Sequence, residues 1–220
     1  MYISSSTDPR LAKTKSQLGQ DLFVLDELGL KQQGYFVEFG ATNGVDISNT
    51  WLLETEFSWQ GILAEPSRHW HNSLMQNRTA HITTDCVWSE TNLELMFNQV
   101  DSSLASYGPE LSTIDTFSSC DPHSSRRRNG EKYPVKTISL LDLLKKYQAP
   151  QEIDYLSIDT EGSEFAILAN FDFDQYTIKM ITCEHNYTPM REKIFDLLTS
   201  KGYKRKHQDV SQWDDWYVLS

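Results

Sequence analysis

The chain has 220 residues, of which 39% are hydrophobic and 12% aromatic, the size and composition of one globular domain with a buried core and not of a disordered segment. Lys and Arg number 20 against 31 Asp and Glu, a formal net charge of −11; this argues against nucleic acid held through its phosphate backbone, although a small anion could still sit in a local basic pocket. Cys86, Cys120 and Cys183 are too few and too scattered for a disulfide framework or a zinc cluster, and the absence of an apolar leader or a membrane-length apolar run points to a soluble, cytoplasmic protein.

Residues 1 to about 15 are polar and read as a tail, which with the first helix makes up residues 1–30. "SQLGQDLFVLDEL" spaces Leu18, Leu22, Leu25 and Leu28 as a helix does, with Ser16 as its cap. "GYFVEF" reads as a buried strand, and "DISNTWLLETE" as a helix entered at Asp46 or Ser48. "GILAEP" is a second buried strand stopped by Pro66, and "SRHWHNSLMQN" a helix capped by Ser67. "AHITTDCVWS" and "LELMFNQV" read as the third and fourth strands.

Residues 101–134 have another texture, rich in Ser, Asp, Pro and Gly without apolar periodicity. They read as an inserted loop or lid in an otherwise single domain. "VKTISLLDLLKKY" returns as strand and helix with Ser139 as cap. "IDYLSIDTEG" and "IKMITCEHN" are strands, each followed by a helix; the last helix has Thr188 as cap and Pro189 in its first turn. "YKRKHQDV" and "DWYVLS" close the chain as an antiparallel pair. Alternating strands and helices, with several strands apolar throughout, imply an α/β chain with a mostly parallel sheet covered on both faces. Ligands of such sheets sit at the carboxyl ends of the strands, so Glu38, Glu65, Asp85, Asp159 and Glu184, which end the apolar runs, are the informative residues.

The first strand runs into Gly40-Ala41-Thr42-Asn43-Gly44, and Glu65 ends the second strand about 20 positions later. A carboxylate there suits the two hydroxyls of a ribose, in NAD or in another adenosyl cofactor. The glycines do not form the GxGxxG of a pyrophosphate site, and Glu38 opposes a pyrophosphate while suiting an ammonium. The turn therefore fits the methionine half of S-adenosylmethionine better than NAD. An NAD-dependent oxidoreductase is the runner-up, and a non-catalytic module that keeps the pocket is the third reading.

Five blocks occur in one order: "SQLGQD", "GYFVEFGATNGVDISNT", "WQGILAEPS", "TISLLDLL" and "IDYLSIDTEGSEFAIL". In them the chain resembles the FkbM-type methyltransferases over nearly its whole length. That family is similar to class I methyltransferases, so the resemblance implies a Rossmann-like seven-stranded sheet with a C-terminal antiparallel hairpin. It also implies S-adenosylmethionine as cofactor and O-methylation of a sugar, glycan or small-molecule hydroxyl. It would place Glu38, Gly40, Ala41, Asn43, Gly44 and Asn49 on the methionine part. Glu65 would hold the ribose, Pro66, Ser67, Asp85, Cys86 and Val87 would lie by the adenine, and Gln17 and Gln20 would close over the cofactor. Thr160 stands where the family's D-x-E-G block usually has an apolar residue.

A neutral hydroxyl is a poor nucleophile and is helped by a base or a metal. The candidate catalytic groups are His185, Asp159 and Glu161, with His185 favoured as base by its ordinary pKa. Asp159, also expected beside the cofactor, would form with Glu184 and Asn186 an oxygen-ligand set suited to magnesium. The basic run Arg126, Arg127 and Arg128 would meet a phosphate or carboxylate of the acceptor, and Tyr107, Phe117 and Tyr133 would stack on a sugar ring.

Overall fold

The computed structural model describes residues 6–100 and 108–220; Tyr107 lies outside them. A seven-stranded sheet organises the chain, built from β1 (Tyr35–Phe39), β2 (Gln60–Ala64), β3 (His81–Thr83), β8 (Glu152–Ile158), β9 (Thr177–Glu184), β10 (Tyr203–Lys206) and β11 (Asp214–Leu219). Their order is β10-β11-β9-β8-β1-β2-β3. All pairings are parallel except those of β11, which runs antiparallel to both neighbours. The order reverses between β1 and β8, so the crevice at their carboxyl ends is the switch point of the sheet.

Alternation along the strands divides the core in two. Val37 and Phe39, with Ile62, Ala64, Leu156 and Ile158, face α5 (Leu140–Lys146), α6 (Glu164–Ala169) and α7 (Met190–Ser200). Phe36, Leu63 and Tyr155 face α1 (Gln20–Glu27), α2 (Trp51–Phe57) and α3 (His71–Asn77). Both faces are therefore buried, which is why these strands carry nearly unbroken apolar runs.

Several elements differ from the sequence reading. The first helix starts at Gln20 because Gly19 adopts φ 85°, a left-handed conformation that favours glycine. Ser16 instead bridges Ile47 and donates its hydroxyl to Asp21. Residues 9–13 form a 3-10 turn that buries Leu11 and lays Arg10 over the Phe57 ring, so this part of the expected tail is packed. Ser67 does not cap α3; its hydroxyl bonds Gln99. Ser139 does cap α5, accepting from the Asp142 amide.

The expected third strand divides at Thr84-Asp85. Its second half, β4 (Cys86–Trp88), leaves the main sheet for a smaller one of order β4-β7-β5-β6, made with β5 (Glu94–Gln99), β6 (Thr113–Ile114) and β7 (Glu131–Ser139). The described residues of the inserted region, 108–134, contain regular structure. They supply β6, the short helix α4 (Ser124–Arg127) and the start of β7. No helix among the described residues is long and apolar enough to cross a membrane.

Candidate active site

Gly40 turns the chain at the end of β1 with φ +74°, and a Cβ there would lie 2.1 Å from the Asp159 carbonyl oxygen. The turn therefore brings β1 and β8 together at the switch point and leaves a cradle that any side chain would fill. Two chambers meet over it.

The first chamber is mainly apolar and is lined by Ala64, Glu65, Pro66, Trp70, Cys86, Val87, Phe97 and Ile114, with Pro109 and Ser112 from the inserted region. Glu65 is buried, and its two oxygens accept from the Thr42 and Ser67 amides at 2.8 Å each. Burial pushes its carboxyl up to about 7, opposed by those two amide bonds. Glu65, Glu110 and Asp159 are the carboxylates on its wall. Ser67 and Asp85 support its wall and do not line it; Asp85 pairs with Lys146 at 3.1 Å.

The second, larger chamber, about 440 Å³, is lined by Gln17, Glu38, Asn49, Ser157, Asp159, Glu161, Glu184 and Asn186. Ile47, Leu111, Pro122, His123, Arg126, Tyr187 and Trp213 form its outer wall. Glu38 is held by its own loop. It accepts from the Asn49 amide at 2.7 Å, from the Thr50 hydroxyl at 2.5 Å and from Ser48, with Arg78 at 3.7 Å. Asn49 donates to Ser157, which fixes its amide against β8. Ala41 is packed into the core and Gly44 against Leu74 and Arg78, while Asn43 lines an adjoining surface chamber. Gln20 does not reach the cofactor cleft: it donates to Asp214 at 2.7 Å and accepts from the Leu18 amide.

Asp159, Glu161 and Glu184 bring carboxylate oxygens within 4.8 Å of one another. Three like charges this close cannot all be ionised without cost. Burial, followed by repulsion from Asp214 and Glu164, raises Asp159 to about 8, while a hydrogen bond with Glu184 works in the opposite direction. Burial and Asp159 likewise raise Glu161 and Glu184. Glu161 sits at φ 60°, and Thr113 of the inserted region donates to its carbonyl. Its carboxylate accepts from Arg127 at 2.6 Å and from Asn186 at 3.1 Å. The expected cation set of Asp159, Glu184 and Asn186 is therefore rearranged: Asn186 turns its amide nitrogen to Glu161, and Glu161 is the third carboxylate.

The structure moves His185 out of the candidate catalytic set. Its ring is buried, Nδ1 accepts from the Tyr187 amide and Nε2 faces Asp215 at 3.8 Å. It does not line the cleft, and burial lowers its pKa. The basic run also separates. Arg127 is buried between Asp121, Glu161 and the Leu111 carbonyl; Arg126 lines the cleft; Arg128 is exposed. Tyr133 donates to Gln99 and Phe117 lies against Trp88, so neither lines the second chamber. The aromatic groups that do are Phe39 at the end of β1 and, on loops, Trp213 and Tyr187, the last 65% exposed; the sequence reading missed the two loop aromatics, and Glu110, because no periodicity marks them.

A sequence search among curated proteins gives no match. Among solved structures, the chain is similar to a precorrin-6y C5,15-methyltransferase from Geobacter metallireducens, at 10% identity and TM-score 0.43, covering 94% of this chain and 84% of that one. It is also similar to a putative RNA methyltransferase from Pyrococcus horikoshii, at 12% identity and TM-score 0.41, covering 91% and 75%. A human methyltransferase 10 domain containing protein aligns at 11% identity and TM-score 0.40, covering 98% and 83%. Likenesses this distant carry no argument about activity. The sequence match is more telling: the Methyltransferase FkbM domain matches residues 38–205, from the carboxylate that ends β1 to the last strand pair. The seven-stranded sheet with its reversed β11, the glycine cradle and Glu65 fit the S-adenosylmethionine that such a domain implies, and the chain belongs to the FkbM methyltransferase family.

Proposed function

We propose that the protein methylates a hydroxyl group of a sugar, glycan or other small-molecule acceptor. The observation that carries this reading is the position of Asp159, which lines both the chamber beside Glu65 and the larger one, with a carboxyl that burial raises to about 8. A carboxylate with that affinity for a proton is a competent base near neutral pH. S-adenosylmethionine supplies an activated methyl group; Glu65 and the Gly40 turn would hold its adenosine part, and Asn49 and Gln17 the methionine part.

The residues then have separable tasks. Asp159 or its hydrogen-bonded neighbour Glu184 accepts the hydroxyl proton as the oxygen acquires the methyl group. Glu161, fixed by Arg127 and Asn186, keeps a carboxylate beside the pair and raises their hold on the proton. Tyr187, Trp213, Pro122 and Ile47 give the outer wall flat apolar surfaces of the kind that pack on a sugar ring. Arg126 is the cation at this wall, suited to an acidic acceptor group.

A magnesium-assisted reaction is a second reading, favoured by the three carboxylates of Asp159, Glu161 and Glu184. The deciding experiment is transfer of labelled methyl from S-adenosylmethionine to a panel of glycans, polyols and amines, with and without chelator. Label on hydroxyl oxygen supports the proposal, and label only on amines overturns it. Loss of transfer with chelator and recovery with magnesium would favour the second reading; indifference would remove it.

A further inference from the structure

Four residues line both chambers: Phe39, Gly40, Asp159 and Glu110. The first two are the β1 turn, and Asp159 ends β8. Glu110 comes from the inserted region, in the short 3-10 turn Pro109–Leu111. It is half-buried, its Oε2 accepts from the Gly108 amide at 3.0 Å, and it makes no ion pair with the described residues.

We propose that Glu110 recognises the sulfonium charge of the cofactor and makes the site prefer S-adenosylmethionine over its demethylated product. This rests on the cofactor reading above. The sulfur is the atom that joins the adenosyl and methionyl halves. If adenosine fills the chamber beside Glu65 and the methionine extends past Gly40, the sulfur lies where the chambers meet. The carboxylates at that junction are Asp159 and Glu110. Asp159 has its carboxylate within 4.8 Å of those of Glu161 and Glu184 and is the group assigned above to the acceptor proton. Glu110 is not a member of that cluster and makes no ion pair with the described residues, so its carboxyl is the one left to answer a positive charge.

Glu38 is a poorer candidate, because Ser48, Asn49 and Thr50 already occupy its oxygens and Arg78 lies beside it. In the transfer, the bond from sulfur to methyl breaks as the bond from acceptor oxygen to methyl forms. The acceptor proton passes to a carboxylate, and the sulfur leaves as a neutral thioether. The attraction to Glu110 ends with the positive charge, so product is held less tightly than substrate.

Calorimetric titration with S-adenosylmethionine and S-adenosylhomocysteine tests this in the wild type, Glu110→Gln and Glu110→Asp. Glutamine keeps the shape and the oxygen that accepts from Gly108. The expected result is that Glu110→Gln weakens S-adenosylmethionine about five- to tenfold, the order for a partly screened charge pair. S-adenosylhomocysteine should stay within about twofold by the same argument, and Glu110→Asp should retain most of the preference. Equal weakening of both ligands would overturn the proposal and place Glu110 on the ribose or the amino-acid end. Unchanged affinity for both would overturn it as well. Wild-type protein that binds neither ligand would defeat the cofactor reading itself, a failure distinct from loss of preference in the variant.

Discussion

Arg127 Nη2 lies 2.6 Å from Glu161 Oε2, so the inserted region is tied by a buried ion pair to the carboxylates at the switch point. The same guanidinium binds both oxygens of Asp121 at 2.8 Å and donates through Nε to the Leu111 carbonyl. The described part of the insertion is therefore tied into the site through these residues.

Breaking this pair from the arginine side should be costly. Arg127→Met leaves Glu161 and Asp121 buried without their cation, and a loss of about 3–5 kcal/mol is expected for an uncompensated buried partner. Denaturant unfolding measures it directly. A loss under about 1 kcal/mol would mean that water enters and screens the pair. Glu161→Gln should partly rescue Arg127→Met, because it removes one of the uncompensated charges.

Glu65→Ala should weaken S-adenosylmethionine binding by about 1–3 kcal/mol, the cost of losing a buried hydrogen-bond partner. The Thr42 and Ser67 amides lose their acceptor too, so the variant's melting temperature must be compared alongside its affinity. Unchanged affinity would show that the ribose lies elsewhere.

Gly40→Ala should abolish cofactor binding. The position has φ +74°, and the added methyl would meet the Asp159 carbonyl at 2.1 Å. The backbone of β1 or β8 must then shift. A variant that binds normally would show the turn to be more pliable than this contact allows.

The pH dependence of stability follows from the buried acids. Burial raises Asp21 to about 6, Glu65 and Asp214 to about 7, and Asp159 to about 8. Each folded pKa exceeds the ordinary carboxyl value near 4, so the folded state holds these protons more tightly. The resulting stabilisation is fully present below the unfolded values and is lost as pH rises through about 6 to 8. Glu54 and Asp154 act in the opposite direction. Their pKa values are lowered, by Arg78 and Thr79 in one case and by Lys31, the Tyr35 amide and Lys179 in the other, so their contribution is lost as pH falls below the ordinary range. The cofactor-free protein should therefore melt highest in mildly acidic solution, with melting temperature falling toward pH 8. Asp214→Asn should flatten that decline; a flat profile in the wild type would contradict the burial of these groups.

Much of the main sheet was legible because both its faces are covered. Mostly apolar runs such as 35–39, broken only by Glu38, and 153–158, broken by Asp154 and Ser157, are a strong strand signal, and acids at the strand ends marked the crevice. Three kinds of feature were not legible. The split at Asp85 depends on β4 finding β7, a pairing some 50 residues away in sequence that no local pattern encodes. Arg127 and Arg126 are adjacent and chemically alike, yet one is buried in an ion-pair network and the other lines the cleft; the difference is their angular position on a one-turn helix. His185 follows directly on a strand end, but its ring is taken by the Tyr187 amide and turned to Asp215. Conversely, Asp159 and Glu184 were legible as acids at strand ends, and Glu161 as a candidate catalytic acid beside them. Their mutual approach required the parallel register of β8 on β9, Ile158 against Cys183.

This contrast between Asp159 and His185 gives the sharpest test of the chemistry. If a carboxylate takes the acceptor proton, Asp159→Asn should lower kcat by about 10²–10⁴, the range for removing a general base. Glu184 shares the site and can substitute in part, so the double variant with Glu184→Gln should fall further than either single one. His185→Gln should leave the pH dependence of kcat in place, because its ring does not face the cleft. Its cost should appear as stability, through the loss of the bond to the Tyr187 amide and the contact with Asp215. Should His185→Gln remove turnover while preserving folding and cofactor binding, and Asp159→Asn prove active, the base would be the histidine after a rearrangement of the 185–187 turn. That turn already holds Asn186 and Tyr187 at φ 44° and 56°. Such a result would make the left-handed pair the moving part of the site.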